Sequence, residues 1–407
     1  MNFLKLYWFL FLIAPTISVP FQRRWYSPEA ISDGSALQQL GIQAFTSTLL
    51  RLGTPNSTSK CNPSTVTVRQ EWRTLSAAQR KSYVAAVNCL KSKPSVFTSD
   101  EAPGAINLYD SFVAIHINLT QFIHETAYFL TWHRYFTWTY EQMLQNECGY
   151  EGGIPYWEWG LDAEDITASP IFDGSDSSMG SNGVNIYSNT SGVIVWNGAP
   201  QSPPSKQVYL GIGTGGGCVF EGPFKDWAVN MGPVGEPNYI NYPNVTELTN
   251  ILGLNPRCLK RDLRPWVAKT FLTFTNITSL ILDYNTIELF QAVMQGDPRY
   301  ITTAQLGVHG GGHYAFGAGA GLDVFTSPGD PVFFLHHAQV DRVYALWQAL
   351  DFANRQDVFG RGYIQDVIIT PNVTVDDYID LSKLNDKLQI KDTMDTVGGT
   401  PFCYVYQ

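Results

Sequence analysis

All seven histidines of this 407-residue chain fall in two short windows. His116, His124 and His133 lie within 18 residues, and His309, His313, His336 and His337 within 29. A lone histidine is usually a satisfied structural residue. A complete set gathered three plus four is a constraint on the fold, which must bring two groups of imidazoles together. Imidazole nitrogen suits zinc, copper, iron and nickel. Neither window carries a thiolate motif or paired carboxylates, so the donor set reads as all-nitrogen.

Helical geometry sorts the donors. His124 and His133 are nine residues apart and would point to opposite faces of one straight helix, nine steps of about 100°. Both reach one ion only if His124 sits in the turn before the helix, with His116 supplied by the preceding helix. His309 and His313, four apart, share a helical face. His336 and His337 are adjacent, about 100° apart, so only one is expected to face the same ion. Asp341, one turn beyond His337, is placed to support that ring from behind. The count becomes two trihistidine sites with one histidine left over. Other metal signatures fail on spacing. A zincin needs HExxH, but His124-Glu125 is followed by Tyr128 where the second histidine belongs, and Gly310 follows His309.

The remaining pattern is mainly helical, with no internal repeat and no linker that would divide the chain. "SAAQRKSYVAAVNCLKSKPS" predicts a helix starting near Ser76 and ending before Pro94. "LYDSFVAIHI" predicts a shorter one, "TWHRYFTWTYEQMLQNE" a long amphipathic one, and "PVFFLHHAQVDRVYALWQAL" another opened by Pro331. Helix is also expected over Thr246–Leu252 and Ile287–Met294. The Gly-, Ser- and Asn-rich stretch from Asp173 to Gly217 reads as long surface loops with a few short strands.

At 44% hydrophobic and 14% aromatic residues the chain can bury a large core. Its net charge of −10 and lack of a basic run exclude nucleic acid as a partner. The start, "MNFLKLYWFLFLIAPTISVP", has one lysine, a short apolar run and then small residues, the layout of a secretory signal peptide. The apolar run falls short of the ~20 residues a membrane span needs. Six cysteines without a CxxC favour three disulfides, with the pairing open. Sequons at Asn56, Asn118, Asn189, Asn244, Asn276 and Asn372 agree with secretion, although Asn118 sits beside a candidate ligand, where burial would block a glycan. Arg23-Arg24 is a weak processing signal.

The first window reads "HETAYFLTWHRYFTWTYEQML" and continues to "ECGYEGGIPYWEW"; the second runs from "HGGGH" to "DPVFFLHHAQVDRVYALWQ". These segments resemble the two copper-binding signatures of the tyrosinase and catechol oxidase family, closest to short secreted fungal members, over roughly residues 60 to 407. The resemblance implies a mainly α fold: a four-helix-bundle dicopper core with long irregular loops and a few short strands. It implies two copper ions, one on His116, His124 and His133 and the other on His309, His313 and His337, the second histidine of the HH pair. The N-terminal layout sets a signal peptide over residues 1–18 and an N-terminal segment over 19–60, and the resemblance implies a catalytic domain over 61–407 without a C-terminal lid domain. Tyr404-Val405-Tyr406 is similar to the family's closing tyrosine motif, and Arg69 matches the arginine expected to meet it.

Four positions bear on chemistry by the same resemblance. Gly310 follows the first histidine of the second copper; an asparagine there, with a glutamate upstream, goes with monophenol deprotonation. No glutamate lies between Tyr300 and Val308, and the long amide there is Gln305, which orients water but is no carboxylate base. Val324 matches a gate position that a phenylalanine blocks in some catechol oxidases. Phe122 stands where many fungal relatives carry a cysteine joined to the second copper-A histidine, so no thioether is expected. The implied activity is a secreted phenol oxidase turning o-diphenols, with monophenols open, into o-quinones. Its partners are a small phenol and O2, with no membrane anchor after signal cleavage. The alternatives are a tailoring oxidase of a phenolic or tyrosine-containing metabolite and, less favoured, a haemocyanin-like oxygen carrier. For the glycines of "HGGGH" two readings compete: room for an aromatic guest beside the second metal, or close packing of this turn on a neighbouring helix.

Overall fold

The computed structural model describes residues 26–52, 61–187, 192–195, 208–235, 249–301 and 305–407. The expected signal peptide, Arg23-Arg24 and the sequons at Asn56, Asn189 and Asn244 lie outside them. Local signals start the helices as the sequence predicts. Ser76 accepts from the Gln79 backbone while the Gln79 side chain returns to Ser76, a reciprocal cap that opens a helix over Ala77–Leu90. In chain order the α-helices are α1 (Pro28–Ser32), α2 (Ser35–Leu52), α3 (Ala77–Leu90), α4 (Leu108–Ile123), α5 (Phe129–Cys148), α6 (Pro265–Phe271), α7 (Phe274–Asp283), α8 (Ile287–Gln295), α9 (Gly307–Phe316) and α10 (Val332–Ala349).

The four histidine-bearing helices form the centre. α5 packs on α4 and α10, and α10 packs on α9. Sixteen of the eighteen residues of α10 are buried, so it runs through the core rather than over it. Aromatic rings fill the space between these helices: Tyr140 of α5 stacks on Phe334 of α10 at 3.5 Å, and Phe112 of α4 meets both edge-on. α2 and α7 cover α10 from outside, and α6 and α8 support α9.

Strands are short and paired by twos. Gly183–Asn185 pairs with Gly216–Val219, and Gly192–Val195 with Val208–Gly211, inside the loop-rich stretch. The end of the chain is tied to its early part by Thr67–Arg69 running parallel to Tyr404–Tyr406, beside the Cys61–Cys403 disulfide. Cys89–Cys148 and Cys218–Cys258 are the other bridges, an arrangement that forms in an oxidising compartment.

One expected helix is not found among the described residues. The described part of Thr246–Leu252 is bends and turns. Asn250 accepts from Leu252 N–H through its side chain and from Gly253 N–H through its backbone, which closes a local turn in competition with a helix. Asn118, on α4, is exposed. No helix among the described residues is long and apolar enough to cross a membrane.

Candidate metal centre

α4 ends one residue before His124, whose backbone is extended (φ −121°, ψ 137°). His124 therefore occupies the turn between α4 and α5, the placement that lets it meet His133. Glu125 follows in the left-handed region at φ +50°, an unusual conformation for a non-glycine residue. Its N–H donates to Gln295 Oε1 at 2.6 Å and its carbonyl accepts from Arg299 Nη2 at 2.8 Å, so α8 and the segment after it pin the turn. His116, His124 and His133 then present ring centroids 5.0 to 5.7 Å apart.

Each of these rings is held from its outer nitrogen. Nδ1 of His116 donates to the Phe325 carbonyl (2.9 Å), that of His124 to Thr120 (2.9 Å) and that of His133 to Phe129 (2.8 Å). A carbonyl partner requires a proton on Nδ1, which leaves Nε2 with a lone pair. Nε2 of His116 and His133 is buried with no hydrogen-bond partner.

α9 and α10 form the second cluster. His309 and His313 are buried on one face of α9, their rings 4.9 Å apart. His337 lies 5.2 Å from His309 and 5.3 Å from His313, and its Nε2 is 3.2 Å from that of His313. Nε2 of His309 is also buried and unpartnered. His336 joins this group, because one nitrogen from each of the four rings lies within 4.8 Å of the others. The clusters face each other through His133 stacked on His337 (4.5 Å, 17°) and His124 on His309 (5.9 Å, 26°).

Burial drives the pKa of every one of these histidines below the ordinary value, to about 4 for His124 and about 3 for His313. Mutual repulsion among the rings adds to the effect for most of them. The centre thus holds neutral imidazoles at neutral pH, the form that ligates a metal. Inward lone pairs without protein partners and an all-imidazole donor set fit a pair of copper ions.

The glycines of α9 divide. A Cβ on Gly311 would stand 2.6 Å from Phe271 Cβ of α6, and one on Gly312 would stand 2.2 Å from His336 Cε1. These two are close-packing positions. Gly310 is partly exposed, and its Cβ would meet Leu306 Cβ at 3.2 Å. Gln305 lies half-buried just before α9, and Val324 is 39% exposed next to Phe325, whose carbonyl anchors His116. Asp323 fixes that loop by accepting from the N–H groups of Val234, Gly235 and Phe325. Phe122 is exposed, meeting Tyr363 edge-on at 5.3 Å, and all six cysteines are in disulfides.

Asp341 corrects the sequence reading. Its carboxylate does not back His337. It accepts from Arg134 Nε (2.5 Å), Tyr404 OH (2.6 Å), Tyr406 OH (2.7 Å) and Arg69 Nη1 (3.3 Å). Burial alone would raise its pKa, but the Arg134 and Arg69 charges outweigh burial and lower it. Arg69 also stacks on the Tyr404 ring at 3.5 Å and pairs with Glu141. The arginine and closing tyrosines do meet, around a carboxylate that sequence spacing assigned elsewhere. Backbone carbonyls orient the first three histidines, and Gln295 and Arg299 set the His124 turn. Sequence carried no signal for these partners, since each lies within a generic helix or loop.

Two facing histidine clusters inside a helical bundle define the class: a helical protein built around a dinuclear imidazole centre. The chain belongs to the tyrosinase family, whose profile, described as the common central domain of tyrosinase, matches residues 106–350. It is 37% identical over 343 residues to tyrosinase P of Aspergillus terreus, covering 83% of this chain and 91% of that one. It is 34% identical over 360 residues to the N-acetyl-6-hydroxytryptophan oxidase ivoB of Emericella nidulans, covering 86% and 94%. A polyphenol oxidase variant from Thermothelomyces thermophila superposes with a TM-score of 0.83 at 35% identity, covering 93% of this chain and all of that one. The chain is a copper oxidoreductase of this family.

Proposed function

We propose that the protein is a secreted dicopper phenol oxidase that uses O2 to convert o-diphenols to o-quinones. In this reading His116, His124 and His133 hold one copper, and His309, His313 and His337 the other. The observation that carries it is the state of the rings: buried, anchored in the first cluster by Nδ1–H to carbonyls, with Nε2 of His116, His133 and His309 buried and unpartnered. Bound copper supplies the two-electron chemistry with O2. The protein's share is to fix ring orientation, keep water out of a dry centre and leave one side open to an aromatic ring. The exposed Val324 supports an open approach, which fits an oxidase better than an oxygen carrier. In this reading, taken from the family resemblance, Gly310 borders that approach without a side chain, and Gln305 can orient water without acting as a carboxylate base. This equipment favours diphenols over monophenols.

A second reading, tailoring of a phenolic or tyrosine-containing metabolite, rests on the same centre and is supported by the likeness to an enzyme named for oxidising N-acetyl-6-hydroxytryptophan. Copper-loaded protein assayed with catechol, with a monophenol and with no substrate tests the proposal. Quinone formation from catechol is expected. Reversible O2 binding without turnover would replace the oxidase with a carrier.

A further inference from the structure

His336 is left over when six histidines are divided three and three, yet it does not point away from the centre. It is fully buried, and neither ring nitrogen makes a close, well-aligned hydrogen bond, the His309 backbone being the polar group within reach. Its ring lies 4.5 Å from His313, 5.1 Å from His337 and 5.6 Å from His309, stacked on the last at 19°. Trp159 closes its other side at 5.2 Å, with an indole nitrogen that is also buried and unpartnered. The space for the ring exists because residue 312 is glycine, since a Cβ there would stand 2.2 Å from His336 Cε1.

A buried polar group without a good partner carries a stability cost. An apolar side chain would fill the same slot without that cost. An imidazole held there, with one nitrogen within 4.8 Å of a nitrogen on each of its three neighbours, has the properties of a ligand without a metal. All four rings on one ion would close its coordination shell, and a catalytic site keeps a position open. His336 is therefore an alternate donor rather than a permanent fourth.

We propose that His336 is a reserve ligand of the second cluster, able to complete a trihistidine site with any two of His309, His313 and His337. The adjacent rings divide the work by position. His337 stacks on His133 and joins the two clusters, whereas His336 lies on the far side against Trp159, and the histidine rings it contacts among the described residues are those of the second cluster. Loss of a permanent ligand then leaves three imidazoles still converging on the same point. The inference rests on the dicopper reading above.

Copper retention separates the two ideas. The metal-free chain is loaded with excess copper and desalted, and copper per chain is measured by atomic absorption, with circular dichroism to check folding. Wild type and His336→Gln should each retain two. His337→Gln should also retain two, and the double variant His336→Gln/His337→Gln one. Because His337 packs tightly, the parallel pair His309→Gln and His309→Gln/His336→Gln gives the same readout should His337→Gln not fold. Single variants that drop to one copper, matching their doubles, would overturn the reserve role while leaving the dicopper reading intact. Wild type that fails to retain two would instead overturn the dicopper reading.

Discussion

Replacing the glycines of "HGGGH" with alanine one at a time should give three different results. By helix propensity alone each change gains about 1 kcal/mol. The surroundings decide what remains. At Gly312 the new Cβ would sit 2.2 Å from the His336 ring, more than 1 Å inside ordinary van der Waals contact, and the ring is boxed in by Trp159 and His313. Overpacking of this kind costs roughly 1–3 kcal/mol, so the net effect is a loss of up to about 2 kcal/mol. At Gly311 the obstacle is Phe271 Cβ at 2.6 Å. That atom is fixed to the α6 backbone and yields only if the two helices separate, which puts the cost at the upper end of the same range. At Gly310 the contact is 3.2 Å to Leu306 Cβ on a partly open side, so the propensity gain largely offsets it and stability stays within about 1 kcal/mol of wild type. Thermal unfolding of the metal-free variants, followed by circular dichroism, reads this order directly. Gly310→Ala should melt close to wild type, and the other two clearly below it. Equal melting temperatures for all three, or a rise for Gly312→Ala, would refute the packing argument.

Three further outcomes follow from the same structure. Asp341→Ala removes the carboxylate that accepts from Arg134, Arg69, Tyr404 and Tyr406, leaving buried guanidinium charge uncompensated. A stability loss of about 3–5 kcal/mol is expected in urea unfolding, and a loss under 1 kcal/mol would show that the hub is dispensable. The metal-free protein should lose stability as pH falls. Its histidines have folded-state pKa values below the unfolded value of about 6.5, so only the unfolded chain takes up protons in the window from about 6.5 down to about 4 for His124 and about 3 for His313. His124 alone then costs about 3 kcal/mol at the bottom of its window. A midpoint flat from pH 7 to 4.5 would contradict the buried neutral rings. Val324→Phe should lower kcat/KM for catechol several-fold with copper content unchanged, and unchanged kinetics would show that phenols approach from elsewhere.

Much of the centre was legible because helical spacing is rigid. Nine residues between His124 and His133 forbid a common helical face, and the chain resolves this by ending α4 at Ile123. Four residues between His309 and His313 permit one face, and α9 supplies it. The helices around Ser76 and Pro331 declared themselves through their caps. What stayed hidden depends on contacts between distant segments. The Phe325 carbonyl reaches His116 across 209 positions, and Asp341 meets Tyr404 across 63. One turn of helix separates Asp341 from His337, but the side chain follows the stronger attraction of two buried guanidinium groups. Directions around α10 alone separate His336 from His337, but the absent side chain at Gly312 makes space for the second ring beside the same cluster.

The central claim is that two copper ions sit between these two sets of rings. A crystal of copper-loaded protein, with anomalous difference maps collected above and below the copper edge, tests it most directly. Two copper peaks are expected, one facing Nε2 of His116, His124 and His133 and one among His309, His313 and His337. A single peak, or a second peak away from α9 and α10, would contradict it.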